Sequence, residues 1–137
     1  MTDIIHNVRF SKPLYHFMCY LNMLHIATTI LIYCNTDIIH CTPSLLLTVT
    51  SYLFWSCPKY GIIMKIDEFM AHFNVLYHLY NSFNYTRELP VIIIVYCMIF
   101  FYAYSKYFLT VKNHEYSIFS HSIVVLLGNI AVIVVYH

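Results

Sequence analysis

The stretch TSYLFWSCPKYGIIMKIDE, residues 50–68, joins the end of one apolar segment to the beginning of the next. Pro58 and Gly61 interrupt the apolar run, and these two residue types are typical of a turn between elements. Asp67 and Glu68 then open the following segment, where acidic side chains complement the dipole of a helix N-terminus. The stretch therefore predicts a helix that ends, a short turn, and a second helix with acidic residues at its beginning.

The composition of the chain indicates what surrounds these helices. Hydrophobic residues make up 61% of the 137 residues and charged residues 9%, whereas soluble domains have about 45–50% and about 25%. Because so few charged side chains cannot cover a soluble core, the sequence predicts a membrane protein with the lipid bilayer as its partner. The net charge is only +1, so a basic surface for nucleic acid is excluded.

Five apolar segments come close to the roughly 20 residues that a helix needs to cross a bilayer. They are residues 14–34, 43–57, 66–83, 89–109 and 116–136. The third is the least hydrophobic of them, and all the connections are short. The sequence therefore predicts one all-α domain over residues 1–137, a polytopic membrane bundle of about five transmembrane helices.

The basic residues predict the orientation of this bundle. If all five segments cross and the N-terminus is cytoplasmic, Arg87 is the only basic residue outside. The others lie on the inner side: Arg9, Lys12, Lys59, Lys65, Lys106 and Lys112. This bias follows the positive-inside rule, and it would disappear if the third segment did not cross. We therefore expect a cytoplasmic N-terminus and a C-terminus outside.

Polar side chains recur with helical spacing along the first and third segments. The first contains Asn22 and His25, and the third contains Asn74, His78 and Asn81. Such spacing places each set on one face of its helix, and polar groups at membrane depth face the bundle interior. We expect these two faces to meet. Interhelical hydrogen bonds explain such residues without further function, and an oligomeric pore or transporter is an alternative interpretation.

A serine, an aspartate and a histidine are expected at one depth near the inner side of the membrane, on three different segments. They are Ser51, Asp67 and His121. This arrangement resembles the CREST superfamily of membrane hydrolases, which includes alkaline ceramidases, hemolysin-III proteins and progestin/adipoQ receptors. The resemblance implies that these three residues are catalytic, that His121 binds a zinc ion, and that zinc-activated water hydrolyses a lipid amide.

The motifs of that superfamily differ here at two positions. SxxxH is replaced by SYLFW, with Trp55 at the histidine position, and HxxxH is replaced by SIFSH, with Ser117 at the first histidine position. Two of the three expected zinc histidines are therefore absent, and zinc is a predicted cofactor only under the hydrolase interpretation. The resemblance covers residues 43–128, and the chain has fewer predicted spans than the superfamily.

The sequence leaves three functional classes open. The first is a small non-enzymatic multi-pass membrane protein that acts through helix or lipid contacts. An abundance of Ile, Tyr, Phe and Asn is typical of an AT-rich genome and suggests a viral or protist-like source. The expected membrane is a host or cellular endomembrane or a virion membrane. The second is a shortened or inactive CREST-like hydrolase, and the third is an oligomeric pore or transporter. Further copies of the chain or other membrane proteins are the expected protein partners.

Overall fold

The computed structural model describes residues 12–56 and 61–137, and all the regular secondary structure within them is helical. The helices are α1 (Lys12–Asn22), α2 (Leu24–Asn35), α3 (Ile38–Ser56), α4 (Ile62–Asn84), α5 (Glu88–Thr110) and α6 (His114–Tyr136). The prediction of an all-α helical membrane bundle is confirmed. Arg9, Pro58 and Lys59, together with the end of the second predicted span, lie outside the described residues.

Four stretches of the described chain are long and apolar enough to cross a membrane. They are Pro13–Asn35, Ile38–Ser56, Glu88–Thr110 and His114–Tyr136. The first joins α1 and α2, which are separated only by Met23. These stretches make the chain a small multi-pass integral membrane protein. Helix α4 is as long as α5 and α6, at 23 residues, but it is less apolar, so its crossing and the orientation of the bundle stay predictions.

Helices α3 and α6 occupy the middle of the bundle. Helix α6 packs against α1, α2, α4 and α5, and α3 packs against α1, α2 and α4. The expectation that the polar face of the first segment meets that of the third is wrong as a direct contact. Among the described residues neither α1 nor α2 packs on α4, because α3 and α6 hold them apart, and the two polar faces border a common cavity instead.

Polar residues occupy much of the interior, and large apolar side chains cover the outside. The five polar residues of the first and third segments are all buried, namely Asn22, His25, Asn74, His78 and Asn81. Most of the buried apolar residues form two small clusters, one around Ile32 and Val135 and one around Met18 and Trp55. A bilayer rather than water is the solvent that suits such a surface.

Candidate functional site

A cavity of about 370 Å³ lies inside the bundle and is bordered by all six helices. Its apolar wall includes Leu47, Val75, Val95, Met98, Val124 and Val125. Its polar lining includes Asn22, His25, Ser51, Asp67, Asn74 and His121. The space therefore combines an apolar surface with hydrogen-bonding groups that are supplied by several helices.

The cavity opens sideways between α4 and α5. Leu76 and Ile99 line it, and both are also exposed on the outside of the bundle, by 64% and 59%. Helix α5 packs mainly on α6 and contacts α4 much less, which leaves room between α4 and α5. If α4 crosses the bilayer beside α5, as the sequence predicts, lipid covers this face and the opening faces acyl chains.

Ser51 and Asp67 are bonded to each other at the wall of this cavity. Ser51 Oγ donates to Asp67 Oδ1 at 2.5 Å, and Thr50 Oγ1 donates to the same oxygen at 3.2 Å. No described residue donates to Asp67 Oδ2, and no described cation forms a salt bridge with this buried carboxyl group. Since a carboxyl group can accept hydrogen bonds at both oxygens, Oδ2 is left for a further donor.

His121 lines the same cavity from α6, with the Trp55 ring packed against its imidazole at a centroid distance of 5.5 Å. His25 lines the cavity from α2. Neither imidazole forms a ring-nitrogen hydrogen bond with a described residue. His25 is buried and His121 half-buried, and imidazoles inside a protein normally have such partners, so both rings retain hydrogen-bonding capacity toward the cavity.

The structure divides the polar residues singled out from the sequence into two groups. Ser51, Asp67 and His121 border the cavity together with Asn22, His25 and Asn74. His78 and Asn81 lie outside it, and His78 joins α4 to α3 and α6. His78 bonds to Tyr136 Oη and to Ser44 Oγ, each at 2.9 Å, and Asn81 Nδ2 donates to the Tyr77 carbonyl at 3.0 Å.

The zinc site that the CREST resemblance implies does not fit the residues present. Ser117 does not line the cavity, because it exchanges hydrogen bonds with Ser105, Oγ to carbonyl oxygen in both directions at 2.9 Å. Trp55 packs where a second histidine would stand beside His121. Within residues 12–56 and 61–137, no group of three or more His, Cys, Asp or Glu side chains is arranged to hold a metal ion. Catalytic zinc needs three protein ligands, so no reaction step is assigned to it.

The interpretation of Asp67 and Glu68 as acidic residues at a helix N-terminus is wrong. Helix α4 begins at Ile62, directly after Gly61, and its first turn contains no acidic residue. Asp67 and Glu68 therefore lie further along the helix, where the favourable effect of the dipole has largely faded. Asp67 is directed to the cavity wall instead, as its bond to Ser51 shows.

Three residues at the edge of the opening were not singled out as a site by their spacing in the sequence. Lys106 of α5 forms an ion pair with Glu68 of α4, and Tyr102 Oη donates to the same carboxylate oxygen at 3.4 Å. The Lys106 ammonium also lies 5.2 Å from the centre of the Tyr102 ring. We call these three residues the rim cluster. It joins α4 to α5 beside the opening. Glu68 is 34 positions from Tyr102 and 38 from Lys106, so helical spacing in the sequence could not indicate that these residues are in contact.

Comparisons with protein-family models, with curated proteins and with solved structures found no match to this chain.

Proposed function

We propose that this protein binds a single-chain lipid inside the bilayer and does not turn it over. The observation that supports the proposal is the cavity itself, which has an apolar wall, a polar lining and a side opening toward acyl chains. Small-molecule sites typically enclose about 300–1,000 Å³, so 370 Å³ suits part of one chain and a small headgroup. The membrane concerned would be a cellular endomembrane or a virion membrane.

The polar lining supports binding over a purely structural role. Polar groups inside a membrane bundle are costly unless they are hydrogen-bonded, and His78 and Asn81 are satisfied by other helices or by the backbone. The Asp67 Oδ2 atom and the imidazoles of His25 and His121 have no such partners among the described residues. A polar headgroup that enters through the side opening would supply the missing hydrogen bonds.

The test is photo-crosslinking in lipid nanodiscs with a single-chain lipid that carries a diazirine in its tail. We expect labelled residues on the facing sides of α4 and α5, among them Val75 and Met98, and loss of labelling when unlabelled lipid competes. Leu47→Phe fills the cavity from α3, whereas Leu46→Phe adds the same side chain on the lipid-covered face. The proposal requires that Leu47→Phe lose labelling and Leu46→Phe keep it. Equal labelling of both variants would refute it.

A CREST-like hydrolase is the second candidate. The observation that favours it is that Ser51, Asp67 and His121 border one cavity, with Ser51 hydrogen-bonded to the carboxyl group. Asp67 would accept the hydroxyl proton as the Ser51 oxygen attacks the amide carbonyl, and would pass it to the amine that leaves when the C–N bond breaks. Water would then hydrolyse the acyl-serine, with His121 as the base. This chemistry would need no zinc.

Hydrolysis and simple binding are separated by product release. Under the hydrolase proposal, a fluorogenic lipid amide is cleaved by the wild type, and Ser51→Ala and Asp67→Asn each abolish cleavage. Thr50→Val is the matched control. The Thr50 hydroxyl forms a longer bond to the same carboxyl oxygen, so its removal should leave cleavage intact. Crosslinking of the lipid without any cleavage would support the binding proposal and refute the hydrolase proposal.

A further inference from the structure

Asn22 is a buried amide without a hydrogen bond for its nitrogen. It is only 3% exposed, and its Nδ2 atom has no partner among the described residues. Asn22 borders the central cavity on one side. On the other side it borders a second cavity of about 410 Å³ that is lined by Cys19, Ile26 and Thr48 among others. An unsatisfied buried donor costs about 1–3 kcal/mol, so a bound acceptor at this position would stabilise the protein.

The amide lies beside a local tightening of the first membrane-spanning stretch. Met23, between α1 and α2, keeps right-handed helical dihedrals, with φ −63° and ψ −19°. Its N–H is bonded three residues back, to the Tyr20 carbonyl oxygen at 3.1 Å, so the stretch runs on through one tighter turn.

We infer that the polar part of the cavity holds the uncharged, hydroxylated headgroup of a single-chain lipid ester, of which a monoacylglycerol is the simplest. Asn22 Nδ2 donates to the ester carbonyl oxygen, and Asp67 Oδ2 accepts from a glycerol hydroxyl. Rotation about the terminal torsion of Asn22, which is broad for asparagine, turns the amide to the cavity. The inference rests on the lipid binding proposed above and adds the identity of the headgroup.

The charges around the cavity disfavour an anionic headgroup. Asp67 and Glu68 both line it, and an added carboxylate or phosphate would be repelled by them. Lys106 is the cation of the rim cluster, and its ammonium is already paired with Glu68. No Lys or Arg of the described chain lines the cavity itself.

The hydrogen-bonding groups disfavour a cationic headgroup. An ammonium has only donors, so it would satisfy Asp67 and leave the Asn22 N–H group unmatched. His25 and His121 both line the cavity, and a neutral imidazole presents one donor and one acceptor. Hydroxyl groups and an ester carbonyl together offer donors and acceptors, and they match this set.

The experiment compares an ester with an ether. Competition against the diazirine-tailed lipid is measured in nanodiscs with 1-oleoylglycerol, its ether analogue 1-oleylglycerol, oleate and oleylamine. The ether keeps the chain and both hydroxyls and lacks only the carbonyl. We expect the ester to compete about fivefold better than the ether, as for one hydrogen bond of about 1 kcal/mol, and oleate and oleylamine to compete less well than either.

Asn22→Leu assigns this preference to the amide. In this variant we expect the ester to lose its advantage and the ether to compete as in the wild type. Asn35→Leu is the matched control, because Asn35 lies exposed at the far end of the same stretch and bonds to the Leu31 carbonyl oxygen. It should keep the fivefold ratio.

The outcomes separate the two proposals. If none of the four compounds competes, single-chain lipid binding itself fails. If all compete but ester and ether are equal in the wild type, lipid binding stands and the headgroup inference is overturned. An ester preference that persists in Asn22→Leu overturns the role of Asn22, and tighter competition by oleate or oleylamine overturns the uncharged headgroup. The comparison of ligands on the wild type does not depend on the folding of any variant.

Discussion

Ser44 lies at the centre of a hydrogen-bonded chain that joins α3, α4 and α6, and its replacement by alanine should destabilise the bundle. Ser44 Oγ donates to Asn74 Oδ1 at 3.0 Å and is bonded to His78 Nε2 at 2.9 Å, while His78 Nδ1 is bonded to Tyr136 Oη at 2.9 Å. Since the serine has one proton and gives it to Asn74, His78 Nε2 must donate to Ser44. His78 Nδ1 then accepts from Tyr136, and one tautomer satisfies the whole chain.

The structure gives the size of the effect. Ser44 is 1% exposed, so Ser44→Ala removes two buried hydrogen bonds and admits no water in exchange. Interhelical hydrogen bonds in membranes contribute about 0.6 kcal/mol on average and up to about 1.7 kcal/mol. Two such bonds predict a loss of about 1–3 kcal/mol in the free energy of unfolding.

The assay is equilibrium unfolding in mixed micelles of increasing SDS content, followed by circular dichroism. Thr42→Ala is the matched control on the same helix, because Thr42 is exposed and bonds only to the Ile38 carbonyl oxygen. It should stay within about 0.5 kcal/mol of the wild type. Equal stability of the Ser44 and Thr42 variants would refute the reasoning. So would ¹⁵N spectra that place the His78 proton on Nδ1.

Three further predictions concern the cavity and its edge. Gly128→Leu should block lipid crosslinking while Gly128→Ala should not, because a Cβ atom there meets only Met98 Cε at an ordinary 3.4 Å, and crosslinking yield checks both. Glu68→Gln should weaken the rim cluster and speed lipid exchange about two- to fivefold, because its half-exposed ion pair with Lys106 contributes about 0.2–1 kcal/mol, and stopped-flow displacement of a fluorescent lipid measures this. Elemental analysis of the purified protein should find no stoichiometric zinc, because no three described side chains are arranged to bind it. Stoichiometric zinc that is lost in His121→Ala would contradict this prediction.

The fold class follows from the sequence, but several helix ends do not. Composition and segment length predict an all-α bundle because no other structure satisfies so many backbone groups in lipid. The third segment is predicted at 66–83, whereas α4 begins at Ile62, directly after Gly61, because the residues before Ile66 extend the helix by about one turn instead of forming part of the loop. The tighter turn at Met23 was not predicted, since neither Met23 nor Leu24 is a poor helix former.

The candidate site is only partly predictable for a related reason. Helical spacing indicates correctly that Asn74 and His78 share the interior face of α4, because it depends on residues close in sequence. What each of them contacts depends on distant partners. His78 bonds to Tyr136, 58 positions away, and therefore braces the bundle, whereas Asn74 reaches the cavity.

Trp55 decides from which side the polar lining can be reached. Its side chain is 4% exposed and packs in an apolar cluster with Met18, Ile118 and Val125, while its ring covers one side of the His121 imidazole. Close-packed apolar side chains admit neither water nor ions. The cavity is therefore closed at Trp55 and open between α4 and α5, so the imidazole is accessible from the side of the bundle. At the position where the resemblance requires a zinc-binding histidine, this chain has the apolar Trp55 side chain, which cannot bind a metal ion. This substitution favours a lipid headgroup over a metal ion as the partner proposed for the polar residues.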